Sequence, residues 1–223
     1  MSAVEDRSGA APAVDAPAKF PRTHHGSASA YLTAYTEEAG RAAAAIDPLE
    51  VDRAAAILVE AFLRDAMVFS CGNGGSAAIA NHLHCDHIKG VRTNTDLAPR
   101  VTSLSTNVEL ITAIANDVEY ADVFKYQLES HARAGDVLVA ISSSGRSPNI
   151  VRALQWARAN NLRTIALTGF DGGDARAIAD VAIHVESKNY GVVEDLHQTV
   201  MHVLAQHIRH SRMTAHAVWN TVF

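Results

Sequence analysis

Two polar stripes carry the residue types that proton transfer or cation binding requires. His82 and Asp86 stand four residues apart, with Cys85 and Lys89 close by, while Glu194, Gln198 and His202 recur at intervals of four. On a helix each set shares one face. Brought together, a histidine and a carboxylate form a general acid/base pair for moving a proton between neighbouring carbons. The same donors suit a divalent metal, with His82, Asp86, Glu194 and His202 as the four-ligand proposal. Spacing alone does not make the two stripes meet, and a solvated helix face is the plain alternative for each. His84, His87 and His197 are substitutes within the cluster, whereas His24, His25, His207, His210 and His216 read as surface or tail residues.

Two further phrases are built to hold a phosphate. Cys71-Gly72-Asn73-Gly74-Gly75-Ser76 ends one apolar run, and Ser142-Ser143-Ser144-Gly145-Arg146-Ser147 ends another, Val137 to Ile141. Each reads as a strand delivering a small, hydroxyl-rich turn to a helix start, where unpaired amide hydrogens and the positive end of the helix favour an anion. The glycines permit a tight reversal and Ser76 offers a hydroxyl, while Pro148 suits the first turn of the second helix. Ordinary helix capping is the alternative for either turn taken singly. No Gly-Lys-Ser or Gly-Lys-Thr triplet follows the first turn, and Val101 to Leu104 runs into Ser105-Thr106-Asn107 without an acidic ribose contact. A nucleotide cofactor is therefore not expected.

The elements that must position these groups alternate. Helices are expected from Ala28 and at about 50–64, ahead of the first strand; they cover the domain or pair with another subunit. A helix from Ala77 to Lys89, a strand near Val101–Leu104, a helix from Val108 and another from Tyr120 to His131 follow. Then come the strand Val137–Ile141, a helix over Asn149–Asn160, the strand Thr164–Thr168, a short helix near Ala175–Ile178, the strand Val181–Val185 and a long helix from Glu194 to His210. This order places the chain in the doubly wound α/β class, with ligands beyond the carboxyl ends of the strands. Residues 1–24, rich in proline and small residues, are expected to lack fixed structure; one domain should span 25–212, and 213–223 form a tail.

Composition narrows the function. The 223 residues are 48% hydrophobic and 19% charged, which excludes a wholly disordered chain. Nineteen Lys plus Arg against 24 Asp plus Glu give a net charge of -5 with no dense basic stretch, so nucleic acid is not an expected partner. No apolar run approaches membrane-spanning length, and the two cysteines form no CxxC pair. A reduced, cytoplasmic setting away from membranes is expected. Both cysteines read as packing residues rather than nucleophiles.

Four motifs in order resemble one family: Gly72-Asn73-Gly74-Gly75-Ser76, Ile141 through Ser147, Ile165 through Gly173, and Glu194-Asp195-Leu196-His197 through His202. Over about residues 28–212 the chain looks like the sugar isomerase (SIS) domain of the phosphoheptose isomerase group. The resemblance implies a three-layer αβα sandwich with a five-stranded, mainly parallel sheet of flavodoxin-like order. It also implies a homotetramer with active sites between subunits, bound Zn2+, and conversion of sedoheptulose 7-phosphate to D-glycero-D-manno-heptose 7-phosphate or a close analogue. Carried over residue by residue, it puts Ser76, Ser142, Ser144 and Ser147 around the phosphate and has Asn73 and Asp117 arrange the sugar; Gly74 and Ser143, within the same turns, are further candidate binding residues. Asp86 becomes the base, His202 the acid/base and His82 a metal ligand. Two positions depart from the family pattern, which has Glu at 86 and Gln at 194, and Lys89 and Arg92 both stand where it has one basic residue. A noncatalytic relative that senses phosphosugars or binds the bacterial replication initiator is the rival reading, against which His82, Asp86 and His202 argue.

Overall fold

A computed structural model describes residues 19–223. Five strands, β1 (Met67–Gly72), β2 (Arg100–Ser103), β3 (Val137–Ser142), β4 (Arg163–Thr168) and β5 (Val181–His184), form one sheet in the order β2-β1-β3-β4-β5. Every neighbouring pair is parallel, so the sheet expected to be mainly parallel is wholly so. Parallel strands need crossovers, and these put helices on both faces. The central strand β3 is buried at all six positions. Val137, Val139 and Ile141 face one layer and Leu138 and Ala140 the other, as a period of two dictates.

The first layer contains α2 (Pro48–Leu63), α3 (Gly75–Cys85) and α8 (Tyr190–Ser211), with Leu58, Ile79, Leu83, Leu204 and Ile208 in its core. The second contains α4 (Val108–Asp117), α5 (Lys125–His131), α6 (Pro148–Ala159) and α7 (Gly173–Ile178), closed by Phe69, Leu128, Ile150 and Leu154. Fully burying each such side chain contributes about 1.5–3 kcal/mol. The leading helix α1 (Ala28–Ala44) buries Ala42 alone and leans on the start of α8. Beyond α8, a short helix α9 (Ala215–Trp219) interrupts the expected tail.

Two helices differ from expectation, both for backbone reasons. The segment read as one helix to Lys89 is α-helical only to Cys85 and widens into a π-turn over Asp86–Val91. This widening begins at a candidate site residue, a common place for π-turns; it carries His87 into the core, where the ring is fully buried and packs against Phe62. The stretch Tyr120–His131 is split: Tyr120–Asp122 is a 3-10 turn, and α5 starts at Lys125. Most of the expected extension, residues 1–18, lies outside the described residues. Phe20 does not hang free: it packs against Tyr31 and Tyr35, and its carbonyl accepts from Asn189 Nδ2 at 3.3 Å.

Candidate active site

The first turn is held from beneath by its own backbone. Gly74 lies at φ 55° and ψ -123°, a conformation open only to glycine, and serves as the N-cap of α3. Ser105 Oγ donates to Gly72 O at 2.9 Å and accepts from Gly72 N at 3.1 Å, clamping the strand end. Ser76 is buried in the first turn of α3, whereas Gly74 and Gly75 are exposed. The amide end of this helix therefore faces outward.

The second turn is locked from the side. Gly145 has φ 64°, and a side chain there would strike the Gly172 carbonyl; Ala175 N donates to Gly145 O at 3.0 Å and Gly169 N to Ser143 O at 2.9 Å. Ser142 Oγ accepts from Gly145 N at 3.2 Å and Ser144 Oγ from Arg146 N at 3.3 Å, leaving each hydroxyl hydrogen to donate elsewhere. Ser143 Oγ is buried without a partner. Ser147 is the N-cap residue of α6, yet its hydroxyl makes no capping bond.

An amide pair joins the two turns. Asn73 Nδ2 donates to Asn149 Oδ1 at 2.9 Å, and Asn149 Nδ2 donates back to Asn73 Oδ1 at 2.8 Å. Tyr120 Oη donates to the same Asn73 oxygen at 3.0 Å. Asn73, expected to arrange a sugar, thus also fixes the spacing between the turns. Asp117 lies exposed at the end of α4, accepting from Asn116 at 2.7 Å.

The two polar stripes meet. His82 Nε2 is 3.3 Å from Asp86 Oδ1, His202 Nε2 is 3.7 Å from Asp86 Oδ2, and the imidazole rings are perpendicular with centroids 5.0 Å apart. Gln198 Nε2 lies 2.9 Å from both His82 Nδ1 and His202 Nε2. Glu194 stands apart, its carboxylate filling the space over Gly75 where a side chain would otherwise project. Since Glu194 faces the start of α3 while Gln198 and His202 face its later turns, α3 and α8 run side by side in one direction. His82 is seven residues beyond Gly75, so the helix start and the cluster are separated by about 10 Å.

Burial and Asp195 together raise the Glu194 pKa above the usual carboxylate range. Tyr35 on α1 donates to Asp195 Oδ2 at 2.6 Å, bracing the first turns of α8, and burial with this bond pushes the phenol pKa upward. Cys71 is fully buried, its thiol pushed up to about 12, which fits its expected packing role.

The sequence pattern of the SIS domain matches residues 31–169, more than half of the chain. The chain belongs to the SIS domain family. The phosphoheptose isomerase of Pelobacter propionicus is 41% identical over 157 residues, which are 70% of this chain and 82% of that one. The phosphoheptose isomerase of Colwellia psychrerythraea is 38% identical over 159 residues, 70% and 81% of the two chains. Among solved structures, the phosphoheptose isomerase of Neisseria gonorrhoeae aligns with a TM-score of 0.75 at 32% identity, covering 82% of this chain and 98% of that one.

In this SIS domain the structure joins His82, Asp86 and His202 and brings the two turns side by side. Asn149, Tyr120, Ser105 and Tyr35 escaped the sequence reading. Asn149 follows the second turn by two residues and carried that local signal. Tyr120, Ser105 and Tyr35 carried none, because their partners are remote in sequence. Gln198 was visible only as one member of a helical stripe.

Proposed function

We propose that the protein is an aldose-ketose isomerase of phosphorylated sugars, converting sedoheptulose 7-phosphate to D-glycero-D-manno-heptose 7-phosphate or a close analogue. The observation that carries this reading is the convergence of Asp86 and His202, 3.7 Å apart, beside a helix that starts in a phosphate-type turn. The two turns hold the phosphate through outward amides and the hydroxyls of Ser76, Ser142, Ser143, Ser144 and Ser147, with Asn73 and Asp117 toward the sugar. Asp86 removes a proton from the carbon next to the carbonyl, giving an enediolate. His202 moves the proton between the two oxygens, and return of a proton to the former carbonyl carbon completes the exchange.

The donor set suits a divalent cation. Two imidazoles and a carboxylate have closest separations of 3.3 and 3.7 Å, against about 3.3 Å for the edge of a tetrahedral zinc site. We assign the cation, Zn2+, to His82, Asp86 and His202; when bound it would polarise the substrate carbonyl, and a His202 nitrogen given to the cation is not the one that carries the proton. Asp86 has one oxygen toward each histidine, so one can be held while the other takes a proton.

The side chains of His82, Asp86 and His202 are 46%, 28% and 40% exposed in the single chain. A site this open cannot exclude water by itself, which supports a homotetramer whose sites are finished by a neighbouring subunit. Exposed Leu32 and Leu63 on the leading helices offer apolar surface for that assembly. The free thiols Cys71 and Cys85 suit the cytoplasm. Among the described residues no helix is long and apolar enough to cross a membrane.

Incubation with sedoheptulose 7-phosphate in heavy water should place deuterium at the exchanging carbon and yield the aldose. A panel of sugar phosphates from five to seven carbons that all remain unlabelled with metal-replete protein would refute the isomerase reading and leave a phosphosugar binder.

A further inference from the structure

We propose that Tyr120 is a specificity-determining residue that accepts a hydrogen bond from a hydroxyl of the sugar chain. This rests on the phosphosugar reading above and extends it to a side chain outside both turns and the acid/base cluster.

The direction of each hydrogen bond around Asn73 is set from α6. The backbone N–H of Ile150 donates to Asn149 Oδ1 at 3.0 Å, sharing its hydrogen with Ser147 O at 3.0 Å, and so fixes which end of the Asn149 amide is oxygen. Asn73 must then turn Nδ2 toward that oxygen, at 2.9 Å, and Oδ1 toward Asn149 Nδ2, at 2.8 Å. Tyr120 Oη, 3.0 Å from Asn73 Oδ1, meets an acceptor and gives it the one hydrogen a phenol has. Both lone pairs of the Asn73 oxygen are then engaged, whereas the phenol oxygen keeps its own. Tyr120 therefore presents an acceptor and no donor, and the residue is 55% exposed at the turn whose next residues, Gly74 and Gly75, are open.

That polarity is opposite to the polarity of the turns. Ser142 and Ser144 accept from backbone N–H groups and keep a hydrogen to give, as the amides at the helix starts do, which suits phosphate oxygens. A phosphate oxygen brought to Tyr120 Oη would set lone pair against lone pair. A sugar hydroxyl carries the hydrogen that this oxygen lacks, so Tyr120 sorts the two ends of one ligand, phosphate to the donors and carbon chain to the acceptor. Asp117, three residues earlier at the end of α4, has a carboxylate of the same acceptor character. The Tyr120 turn is also tied down. Arg152, on α6 three residues after Asn149, pairs with Glu119 and donates to Asp122 Oδ1 at 3.0 Å, holding the chain on both sides of Tyr120.

The alternative is that Tyr120 only braces the first turn through Asn73. Alditol phosphates of five to seven carbons have no carbonyl to isomerise, so calorimetry gives their affinities whether or not the protein catalyses exchange. Tyr120→Phe should weaken the best-bound of them about 2–10-fold, the worth of one neutral hydrogen bond. Inorganic phosphate should stay within about twofold, because the reciprocal Asn73 and Asn149 pair still holds the turn. Among forms of that alditol phosphate lacking one hydroxyl each, one should bind native and Tyr120→Phe proteins equally. Circular dichroism would confirm that the variant folds. Equal losses of phosphate and alditol phosphate affinity would reduce Tyr120 to a brace and overturn the proposal, as would an unchanged alditol phosphate affinity or a deficit that persists in every deoxy form. A native protein that binds none of these alditol phosphates would end this inference, while the heavy-water exchange decides the isomerase reading separately.

Discussion

The phosphate turns and the acid/base cluster are built from different materials. Each turn is a short continuous phrase whose shape is set by backbone: Gly74 and Gly145 at positive φ, Ser105 clamped on Gly72, and the Gly169–Gly173 segment pressed against the second turn. The cluster is made of side chains from α3 and α8, partly exposed, with the amide of Gln198 between its imidazoles. Rigidity is thus concentrated in the turns proposed to recognise an anion, and adjustability in the cluster proposed to move protons. Preorganised amides need no rearrangement to meet a phosphate, whereas an acid/base pair must change its hydrogen bonds during each turnover.

The sharpest way to separate the two regions is His202→Ala. Deuterium exchange should fall about 10²–10⁴-fold, while the affinity for inorganic phosphate by calorimetry should stay within about twofold, since the turns do not depend on that ring. Equal loss of both would show that the regions are one mechanical unit.

The buried side of α8 supplies a second test. His197 is fully buried beside the Thr168 backbone, and burial, outweighing that backbone contact, pushes its pKa from an ordinary 6.5 down to about 4. The unfolded chain therefore binds a proton near pH 6.5 that the folded chain refuses until about pH 4. Its contribution to stability is complete above pH 6.5 and is lost as the pH falls toward 4, by roughly 3 kcal/mol. Urea midpoints for His197→Phe should change less across that window than those of the native protein; parallel curves would assign the acid sensitivity to other groups. His87, also depressed by burial, acts in the same direction.

The smallest effect is expected at the bolt between the turns. Asn73→Ala and Asn149→Ala should each lower stability by about 1–3 kcal/mol and weaken phosphate binding, leaving Zn2+ affinity unchanged. Their double-mutant cycle should give a coupling of about 0.5–3 kcal/mol, as reciprocal partners require. Strict additivity would mean that the paired amides do not hold the turns together.

The regions also differ in how far they can be read from residues in order. Both turns were legible because their chemistry is local: glycine where φ must be positive, small hydroxyl residues where a helix begins, an apolar run before each. The buried strands were legible for the same reason, since an uninterrupted apolar segment such as Val137–Ile141 has only a covered sheet to occupy; their order came only with the family resemblance. The break in the helix at Asp86 was not legible, because the widened turn depends on the site found by His87 against Phe62. Nor was the parting of Glu194 from His202, although both lie on one stripe of α8: the space over Gly75 admits the Glu194 carboxylate only because that position has no side chain.

By itself the sequence determined the class of fold, the two small, hydroxyl-rich turns at helix starts and the two polar helical stripes, for these rest on backbone preference and residue chemistry within a few neighbouring positions. Only the tertiary structure decided that α3 and α8 lie side by side, that Asn73 and Asn149 join the turns, and that Gln198 rather than Glu194 stands between the histidines. Those contacts join residues remote along the chain, and their geometry is set by how the helices pack over the sheet.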